Sequence, residues 1–382
     1  MRRYAFAPRR ATRALISGAA LAVLSLGLPA AGPATAATFT YGSGVPERSS
    51  ANQQGVLPIL ADITRATDGR VAFTPILGGQ LVSIANGFDG IRDGVVDAGF
   101  FIGQLTGSQL PYSSLIAEMT GLGGDPYATM GAINEIFFVG CQNCRDEVKM
   151  AGIVPILMQS ASPLAMMCTK PAATAADLAG RRVSVVGSPE ARWATALGMT
   201  PVRSTITDIL PALQLGQSDC TLLGMAWIRS YGLQDTVTSV IEMPQGIIAG
   251  AVPIAFNRKS WEKISKEDRA AIVKLMPAAV WNYVTDAYIT QDAQVKASLA
   301  DKVTFSPGDA DMKSRWTGFQ DGEVAALKAL ARDRGLADGD AVVDRMVATF
   351  RIWHERLLPQ FQGDRAKFEQ ILNERVFSKY PF

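Results

Sequence analysis

Apolar and polar positions in the first part of the chain follow two periods in turn. Short runs rich in β-branched and apolar residues predict strands, and each is followed by a segment with helical periodicity. Gly-containing turns separate the segments. The predicted order is strand 38–41, helix 50–66, strand 71–77, helix 84–92 and strand 95–102. Such alternation predicts a mostly parallel sheet with helices on both faces.

A second unit with the same order of elements follows further along the chain. Ser188 is a suitable N-cap for a helix that begins at Pro189. In both units a helix ends at a glycine, Gly94 or Gly216, and an aspartate opens the next strand. Two similar lobes follow from this repetition, with a cleft between them. The elements of this unit are strand 182–186, helix 189–198, strand 201–204, helix 207–216 and strand 219–225.

The pattern becomes helical after residue 257. Ser265 and Asp268 form a capping box, and apolar periodicity continues to Leu299. A helix of that length reaches about 50 Å, enough to cross both lobes. Pro277 is predicted to kink or break it. The predicted fold class is therefore α/β, with two lobes, mixed and mostly parallel sheets, and a long helix crossing both.

Residues 1–36 carry an export signal. Five arginines and no acid occupy residues 1–13, residues 14–31 are apolar or small, and residues 34–36 offer a small-x-small cleavage site. A membrane anchor is the alternative, although the run barely reaches the ~18 residues of a spanning helix. Whether export uses the general or the twin-arginine route stays open. We expect a soluble mature protein in the periplasm.

Cleavage changes the charge balance of the chain. The full sequence has 37 basic and 35 acidic residues, and removal of the five leader arginines leaves 32 against 35, a net charge of −3. Nucleic-acid binding is not indicated, because it requires a concentrated basic surface. The remaining 346 residues suggest two domains.

Four cysteines could form disulfides in an exported chain. Cys141 and Cys144 follow an apolar helix and have no second cysteine pair or histidine cluster nearby, so zinc and thioredoxin-type redox chemistry are disfavoured. They are expected to form a local disulfide or to remain inert thiols. Cys168 and Cys220 lie in predicted strands of one lobe and could pair.

The sequence supplies no obvious catalytic set. His354 is its only histidine, in a late amphipathic segment, which excludes a multi-histidine metal site. The acidic residues are scattered, and residues 78–81 lack the Lys-Ser/Thr ending of a phosphate-binding loop. We expect a binding protein without cofactor or metal, and an exported enzyme is the least favoured class.

Several short motifs follow one another in order along the chain. GGQL occupies residues 78–81 and GVVDAG occupies residues 94–99, both in the first unit. Further motifs lie at residues 176–183, 196–202, 212–219, 256–261 and 376–379. Together they resemble the sequence signature of the solute-binding proteins of tripartite ATP-independent periplasmic (TRAP) transporters.

The resemblance implies a periplasmic-binding-protein-like fold that closes around a ligand and delivers it to an integral-membrane TRAP permease. It assigns residues 37–160 and 249–285 to domain I, and residues 161–248 and 286–382 to domain II with the C-terminal helices. A ligand-binding module for a sensor kinase is the alternative, which sequence alone does not separate from the first.

The chain departs from the family where the substrate carboxylate is bound. The family arginine that pairs with this carboxylate falls on Ser184, and a family asparagine falls on Leu223. Neither residue reproduces the bidentate hydrogen bonds of a guanidinium group. Arg192 or Arg229, and next Arg48, are the nearest substitutes.

Ligands of open α/β sheets lie beyond the carboxyl ends of strands. That rule selects loops 44–52, 78–81, 101–105, 187–193 and 223–229, in which Trp193 and Trp227 suit a flat, apolar ligand. We expect an organic acid with a substantial apolar part. The expected ligand-binding residues are Arg48, Gln80, Gln104, Ser184, Ser188, Arg192, Trp193, Leu223, Trp227 and Arg229.

Overall fold

The computed structural model describes residues 37–380, so the expected signal peptide at residues 1–36 lies outside the described residues. Two sheets covered by helices confirm the two-lobed α/β architecture. The sheet of lobe I has the order β2-β1-β3-β10-β4, with β1 parallel to β2 and β3, and β10 antiparallel to β3 and β4. Its strands are β1 (Ala37–Gly42), β2 (Val71–Ile76), β3 (Ala98–Ile102), β4 (Ile153–Gln159) and β10 (Ala251–Asn257).

The sheet of lobe II has the order β11-β9-β5-β8-β6-β7. Parallel pairs join β6 to β7 and β8, and β9 to β11, whereas β5 is antiparallel to β8 and β9. Its strands are β5 (Leu164–Cys168), β6 (Arg182–Val185), β7 (Thr200–Arg203), β8 (Cys220–Gly224), β9 (Ser239–Ile241) and β11 (Thr304–Ser306).

Helices cover both sheets, and several begin at side chains that accept a hydrogen bond from the first turn, such as Asp125, Thr174 and Asp309. The helices up to residue 230 are α1 (Leu57–Ala66), α2 (Gly87–Arg92), α3 (Ser114–Ala117), α4 (Pro126–Glu135), α5 (Gln142–Met150), α6 (Ala175–Leu178), α7 (Ser188–Ala196), α8 (Ile209–Gln214) and α9 (Ala226–Ser230). The later helices are α10 (Arg258–Glu262), α11 (Lys266–Val284), α12 (Thr290–Leu299), α13 (Ala310–Asp333), α14 (Gly339–Arg351), α15 (Leu358–Phe361) and α16 (Arg365–Leu372). No helix among residues 37–380 is long and apolar enough to cross a membrane.

The chain passes between the lobes at residues 160–163, at residues 242–250, through the long helical segment formed by α11 and α12, and again through α13, which leads to the C-terminal helices. A π-helical turn, Thr285–Ile289, joins these two helices. The Ser265 side chain caps α11 by accepting from the Asp268 N–H. Pro277 lies inside α11 and does not break it, because neighbouring Met276 and Val280 are fully buried and hold this part of the helix against lobe I.

The C-terminal helices pack on lobe I, whereas the sequence analysis assigned them to domain II. The Trp353 indole fits into a notch of α4 at Gly131, and its Nε1–H donates to Glu135 at 2.8 Å. Arg375 forms a two-bond ion pair with the same Glu135 carboxylate. These contacts join residues more than 200 positions apart in the sequence. The lobe on which α14 to α16 pack was therefore assigned wrongly, because their local sequence pattern does not indicate which lobe they contact.

Both cysteine pairs form disulfides. Cys141 and Cys144 are joined across the start of α5, and both are buried. Cys168 and Cys220 lie opposite each other on the antiparallel strands β5 and β8 and are also bonded. His354 packs face to face on Phe350 at 4.3 Å, and burial lowers its pKa, in keeping with a packing role.

Candidate functional site

A small cavity lies between the lobes, with a volume of about 60 Å³ open to the centre of a water-sized sphere. It is reached by the segments that follow β1, β3, β6 and β8, as expected for an α/β sheet. Ten of its fifteen lining residues are aliphatic or phenylalanine, and among the described residues no charged side chain lines it. Val45, Phe100 and Ile102 line it from lobe I, and Val186 and Ile206 from lobe II. The cavity therefore suits a molecule with an apolar body.

Gln159 supplies the polar centre of one wall. It ends β4, just before the first crossing segment, and is buried. Its Oε1 accepts from the Tyr283 hydroxyl at 2.8 Å, and its Nε2 donates to the Tyr288 hydroxyl. Both tyrosines come from the crossing helices, and burial raises the pKa of each hydroxyl well above its usual value. These hydroxyls therefore stay protonated at physiological pH.

Helix α9 brings Trp227 and Tyr231 to the cavity from lobe II. The Trp227 ring is edge-on to Tyr231 at 6.3 Å and to Tyr288 at 6.4 Å, so the three rings form one aromatic wall. The first residue of α9, Ala226, donates its N–H to Asp292 of α12 at 2.6 Å. Burial raises the pKa of the Asp292 carboxyl to about 6.

Gln104 reaches from lobe I to the start of α7 in lobe II. Its Nε2 donates to the Ala117 carbonyl at 3.4 Å, and it would lie 2.5 Å from a Cβ at Gly187, so residue 187 has no room for a side chain. Glu190 lies fully buried beside it, and neither of its carboxylate oxygens makes a hydrogen bond of normal geometry to a described residue. Burial raises the Glu190 pKa to about 7, because it outweighs the opposite effect of the nearby Gln104 amide, which lowers the pKa.

Of the residues predicted to bind ligand, Gln104 and Trp227 line the cavity and the others do not. Ser184 is fully buried and does not line the cavity, and its hydroxyl lies 2.7 Å from that of Ser218. Leu223 is fully buried in the sheet core. Gln80 is exposed in the turn after β2. Both Ser184 and Leu223 therefore fill space inside lobe II.

Residues of α7 that were expected at the cleft face lobe II instead. Trp193 is buried in the core of lobe II, where its Nε1–H donates to Gln245 at 2.8 Å. Ser188 accepts a hydrogen bond from Arg203 at 3.0 Å, and the helix is capped by Gly187 rather than by Ser188. Trp193 lies on the face of α7 that packs against the core of lobe II, where its ring meets those of Trp316 and Phe319 of α13 at 4.9 and 5.4 Å.

None of the three substitute arginines lines the cavity. Arg192 makes two hydrogen bonds to Glu323 of α13, at 2.9 and 2.7 Å. Arg48 lies at the surface and donates from Nε to the Ser230 carbonyl at 3.2 Å, a contact between the lobes. Arg229 is exposed on α9. The Glu323 partner explains why Arg192 is drawn away from the cleft.

The sequence analysis missed Gln159, Tyr231 and Tyr288. Gln159 and Tyr288 lie at or in the segments that cross between the lobes, and Tyr231 follows the end of α9. The only available signal was the predicted crossing of the long helix, which implies that one of its faces borders the cleft.

A second depression lies on the surface of lobe I. Arg145, Lys149, Arg258 and Lys379 contribute to its lining, so it is cationic, open and confined to one lobe. No group of three or more His, Cys, Asp or Glu side chains within residues 37–380 is arranged to hold a metal ion. The interlobe cavity is therefore the candidate ligand site.

A family model and solved structures match this chain. The model for bacterial extracellular solute-binding proteins of family 7 matches residues 42–314. No curated protein matches the sequence. The chain is similar to a TRAP periplasmic solute-binding protein from Bordetella bronchiseptica with bound (R)- and (S)-mandelate, at 21% identity and a TM-score of 0.70, covering 82% of this chain and 99% of that one.

Two further structures have the same fold. A TRAP solute-binding protein from Rhodoferax ferrireducens T118 with copurified benzoate is 19% identical, with a TM-score of 0.72 and coverage of 84% and 99%. An extracytoplasmic solute receptor of Bordetella pertussis that binds pyroglutamic acid is 16% identical, with a TM-score of 0.69 and coverage of 83% and 100%. At these identities the similarity establishes the fold.

Proposed function

Because the chain belongs to family 7 of the bacterial extracellular solute-binding proteins, we propose that it captures a small organic acid with an apolar body in the interlobe cavity. We further propose that it delivers this acid to an integral-membrane TRAP permease and leaves it chemically unchanged. The expected signal peptide supports a periplasmic location for this cycle.

The observation that carries the proposal is the composition of the cavity. Aliphatic side chains dominate its lining, and Trp227, Tyr231 and Tyr288 form an aromatic wall. Such a surface favours a flat ring over a strongly hydrated, chain-like acid. The relatives with mandelate and benzoate bind acids of this form. An aromatic monocarboxylic acid is the ligand class that the cavity fits best.

Capture depends on contacts from both lobes. Phe100 and Gln104 come from lobe I, and Val186 and Trp227 from lobe II, so a ligand touches all four only when the lobes are closed. A ligand that binds the closed form better shifts the equilibrium toward it. Closure thereby couples ligand capture to a shape that a permease can recognise.

Ligand identity can be tested directly on the purified protein. We expect mass spectrometry of copurified small molecules to show an organic acid, and thermal-shift assays to show stabilisation by benzoate or mandelate. Stabilisation by succinate or malate, with none by aromatic acids, would contradict the proposed ligand class. Recovery of the acid unaltered after prolonged incubation is expected, and a reaction product would instead indicate an enzyme.

Two tryptophan variants locate the site. Trp227→Phe removes part of the aromatic wall and is expected to weaken benzoate binding about tenfold, by loss of buried contact area. Trp193→Phe is the matched control, because Trp193 is buried in lobe II away from the cavity, so stability falls while affinity is retained. The reverse ranking of affinities would place the ligand elsewhere.

Export of the protein and delivery of the acid to the permease can each be tested separately. N-terminal sequencing of the secreted protein is expected to begin near Ala37, and uptake of the labelled acid is expected only in cells that contain both this protein and its permease. Uptake that persists without the permease would exclude this partner.

A further inference from the structure

The interlobe cavity offers only uncharged polar groups, within the part of the chain that the structure describes. Those groups belong to Gln104, Gln159, Trp227, Tyr231 and Tyr288. An acid bound here meets no guanidinium or ammonium group among the lining residues. Burial of a carboxylate without such a partner is costly unless other donors compensate.

Arg192 and Arg48 already bind other groups, and Arg229 is exposed on α9. The guanidinium of Arg192 is held by Glu323, whose carboxylate is 3% exposed, and it would have to leave that buried acid unpaired to enter the cavity. Arg48 is tied to the Ser230 carbonyl on the outside of the cleft. Breaking a buried ion pair by removing one partner costs several kcal/mol. A move of Arg192 into the cavity is therefore unfavourable.

Two tyrosine hydroxyls in the cavity have protons without an acceptor among the described residues. The Tyr288 oxygen accepts from Gln159 Nε2, so its own proton remains available for another group. The Tyr231 hydroxyl makes no hydrogen bond to a described residue, although its ring packs edge-on against Trp227. Tyr288 is buried and Tyr231 is half-buried, and hydroxyls in such positions normally have partners. Two unused O–H donors on one cavity wall indicate a ligand that brings acceptor oxygens.

We infer that the acid group of the ligand is bound by the hydroxyls of Tyr231 and Tyr288 rather than by a guanidinium group. This inference rests on the proposed function and specifies how the same site recognises its ligand. Hydrogen bonds from a neutral donor to a carboxylate are charge-assisted and stronger than neutral ones. In a cavity that excludes water, such fixed dipoles stabilise an anion without a counter-ion.

This form of recognition predicts a particular selectivity. A monocarboxylate places its single charge at the two hydroxyls and its ring against aliphatic side chains. A dicarboxylate has to bury a second charge against apolar residues such as Val186 and Ile206, so it is excluded. The corresponding uncharged amide also has a carbonyl oxygen that can accept from the two hydroxyls. Replacing the acid by its amide removes no salt bridge, because no charged side chain of the described residues lines the cavity. The site should therefore discriminate little between an acid and its amide.

Isothermal titration calorimetry with benzoate and benzamide tests the inference. Tyr231→Phe and Tyr288→Phe are each expected to weaken benzoate binding about tenfold or more, the effect of one hydrogen bond to a charged group, and benzamide binding less. Benzamide is expected to bind the unaltered protein within about tenfold of benzoate. Tyr41→Phe is the matched control: its buried hydroxyl donates to the Pro253 carbonyl outside the cavity, so affinity should not change.

Other outcomes overturn the inference. Benzoate affinity that is unchanged in both tyrosine variants would exclude the hydroxyls, while leaving the proposed function intact. A loss above about a hundredfold in Arg229→Ala, or in an Arg192→Gln/Glu323→Gln pair that folds normally, would show that a guanidinium binds the acid. If neither benzoate nor mandelate binds the unaltered protein, the inference and the proposed ligand class both fail.

Discussion

Asp292 on the crossing helix accepts a hydrogen bond of 2.6 Å from the backbone N–H of Ala226, the residue that precedes Trp227. The same carboxylate oxygen accepts from the Ser162 hydroxyl at 3.1 Å, and Ser162 lies in the first crossing segment. The Asp292 side chain thus links three parts of the molecule: the first crossing segment (residues 160–163), α12, and α9, which carries Trp227. This junction fixes Trp227 relative to the segments that connect the two lobes.

Asp292→Ala is expected to lower benzoate affinity about tenfold, because it removes a hydrogen bond to a charged group and leaves the start of α9 unanchored. Calorimetric titration measures the change. Asp286→Ala is the control, since Asp286 lies on the same helical segment and is exposed. Equal affinities in the two variants would show that the junction does not position Trp227.

Glu190→Gln is expected to stabilise the protein at pH 8 but not at pH 4.5. Burial raises the Glu190 pKa to about 7 in the folded state, so its stabilising contribution is present at low pH and is lost as the pH rises through 7. At pH 8 the ionised group costs up to about 3 kcal/mol, which glutamine avoids. Urea unfolding at both pH values measures this, with exposed Glu262→Gln as control. A gain that is equal at both pH values would contradict this account.

The two disulfides should differ in their contribution to stability. Cys168 and Cys220 are separated by 52 positions, and loop-closure entropy then gives about 4 kcal/mol. Cys141 and Cys144 are separated by 3, which gives about 2 kcal/mol. Paired Cys→Ala variants, compared by urea unfolding, are expected to show the larger loss for the Cys168/Cys220 pair. The opposite ranking would indicate that packing around α5 outweighs chain entropy.

The two-lobed fold could be predicted from the sequence, because each strand and helix is determined largely by residues close together in the chain. Strand and helix periods, glycine stops and the Ser265 cap each depend on a few neighbouring residues, and their repetition implied two lobes. The residues of the candidate site could be predicted from the sequence only in part. Gln104 and Trp227 lie in loops after strands, where the rule for α/β sheets places ligands.

The remaining site residues depend on contacts that no local pattern contains. Arg192 is held by Glu323, 131 positions away, and Trp193 by Gln245, 52 positions away. Tyr288 faces the cavity because of how the long helix crosses the lobes, and the sequence sets its length but not its rotation. The carboxylate position expected from the family therefore fell on Ser184, a residue of the lobe II interior.

Gly131→Ala tests the packing of the C-terminal helices on lobe I. A Cβ at residue 131 would lie 2.2 Å from the Trp353 ring, so α4 and the C-terminal segment have to separate. We expect a loss of about 1–3 kcal/mol in the free energy of unfolding. Gly318→Ala in α13 is the control, because a Cβ there meets nothing within 4 Å, and alanine should stabilise that helix by about 1 kcal/mol. Equal effects would mean that Trp353 does not fill the notch.

Arg48→Ala tests whether contacts between the lobes hold the closed form. Arg48 follows β1 in lobe I and donates to the carbonyl of Ser230, the last residue of α9, while the Ser50 N–H donates to the Ser230 hydroxyl at 3.3 Å. Loss of one such bond is expected to speed benzoate dissociation about three- to tenfold with little change in the association rate, because the contact forms after the ligand has entered. Stopped-flow kinetics measures both rates, and small-angle scattering should show that ligand compacts the unaltered protein more than the variant. Arg229→Ala, an exposed change on the same helix, should leave dissociation unchanged. A variant that compacts fully and releases benzoate at the normal rate would show that the ligand alone holds the lobes together.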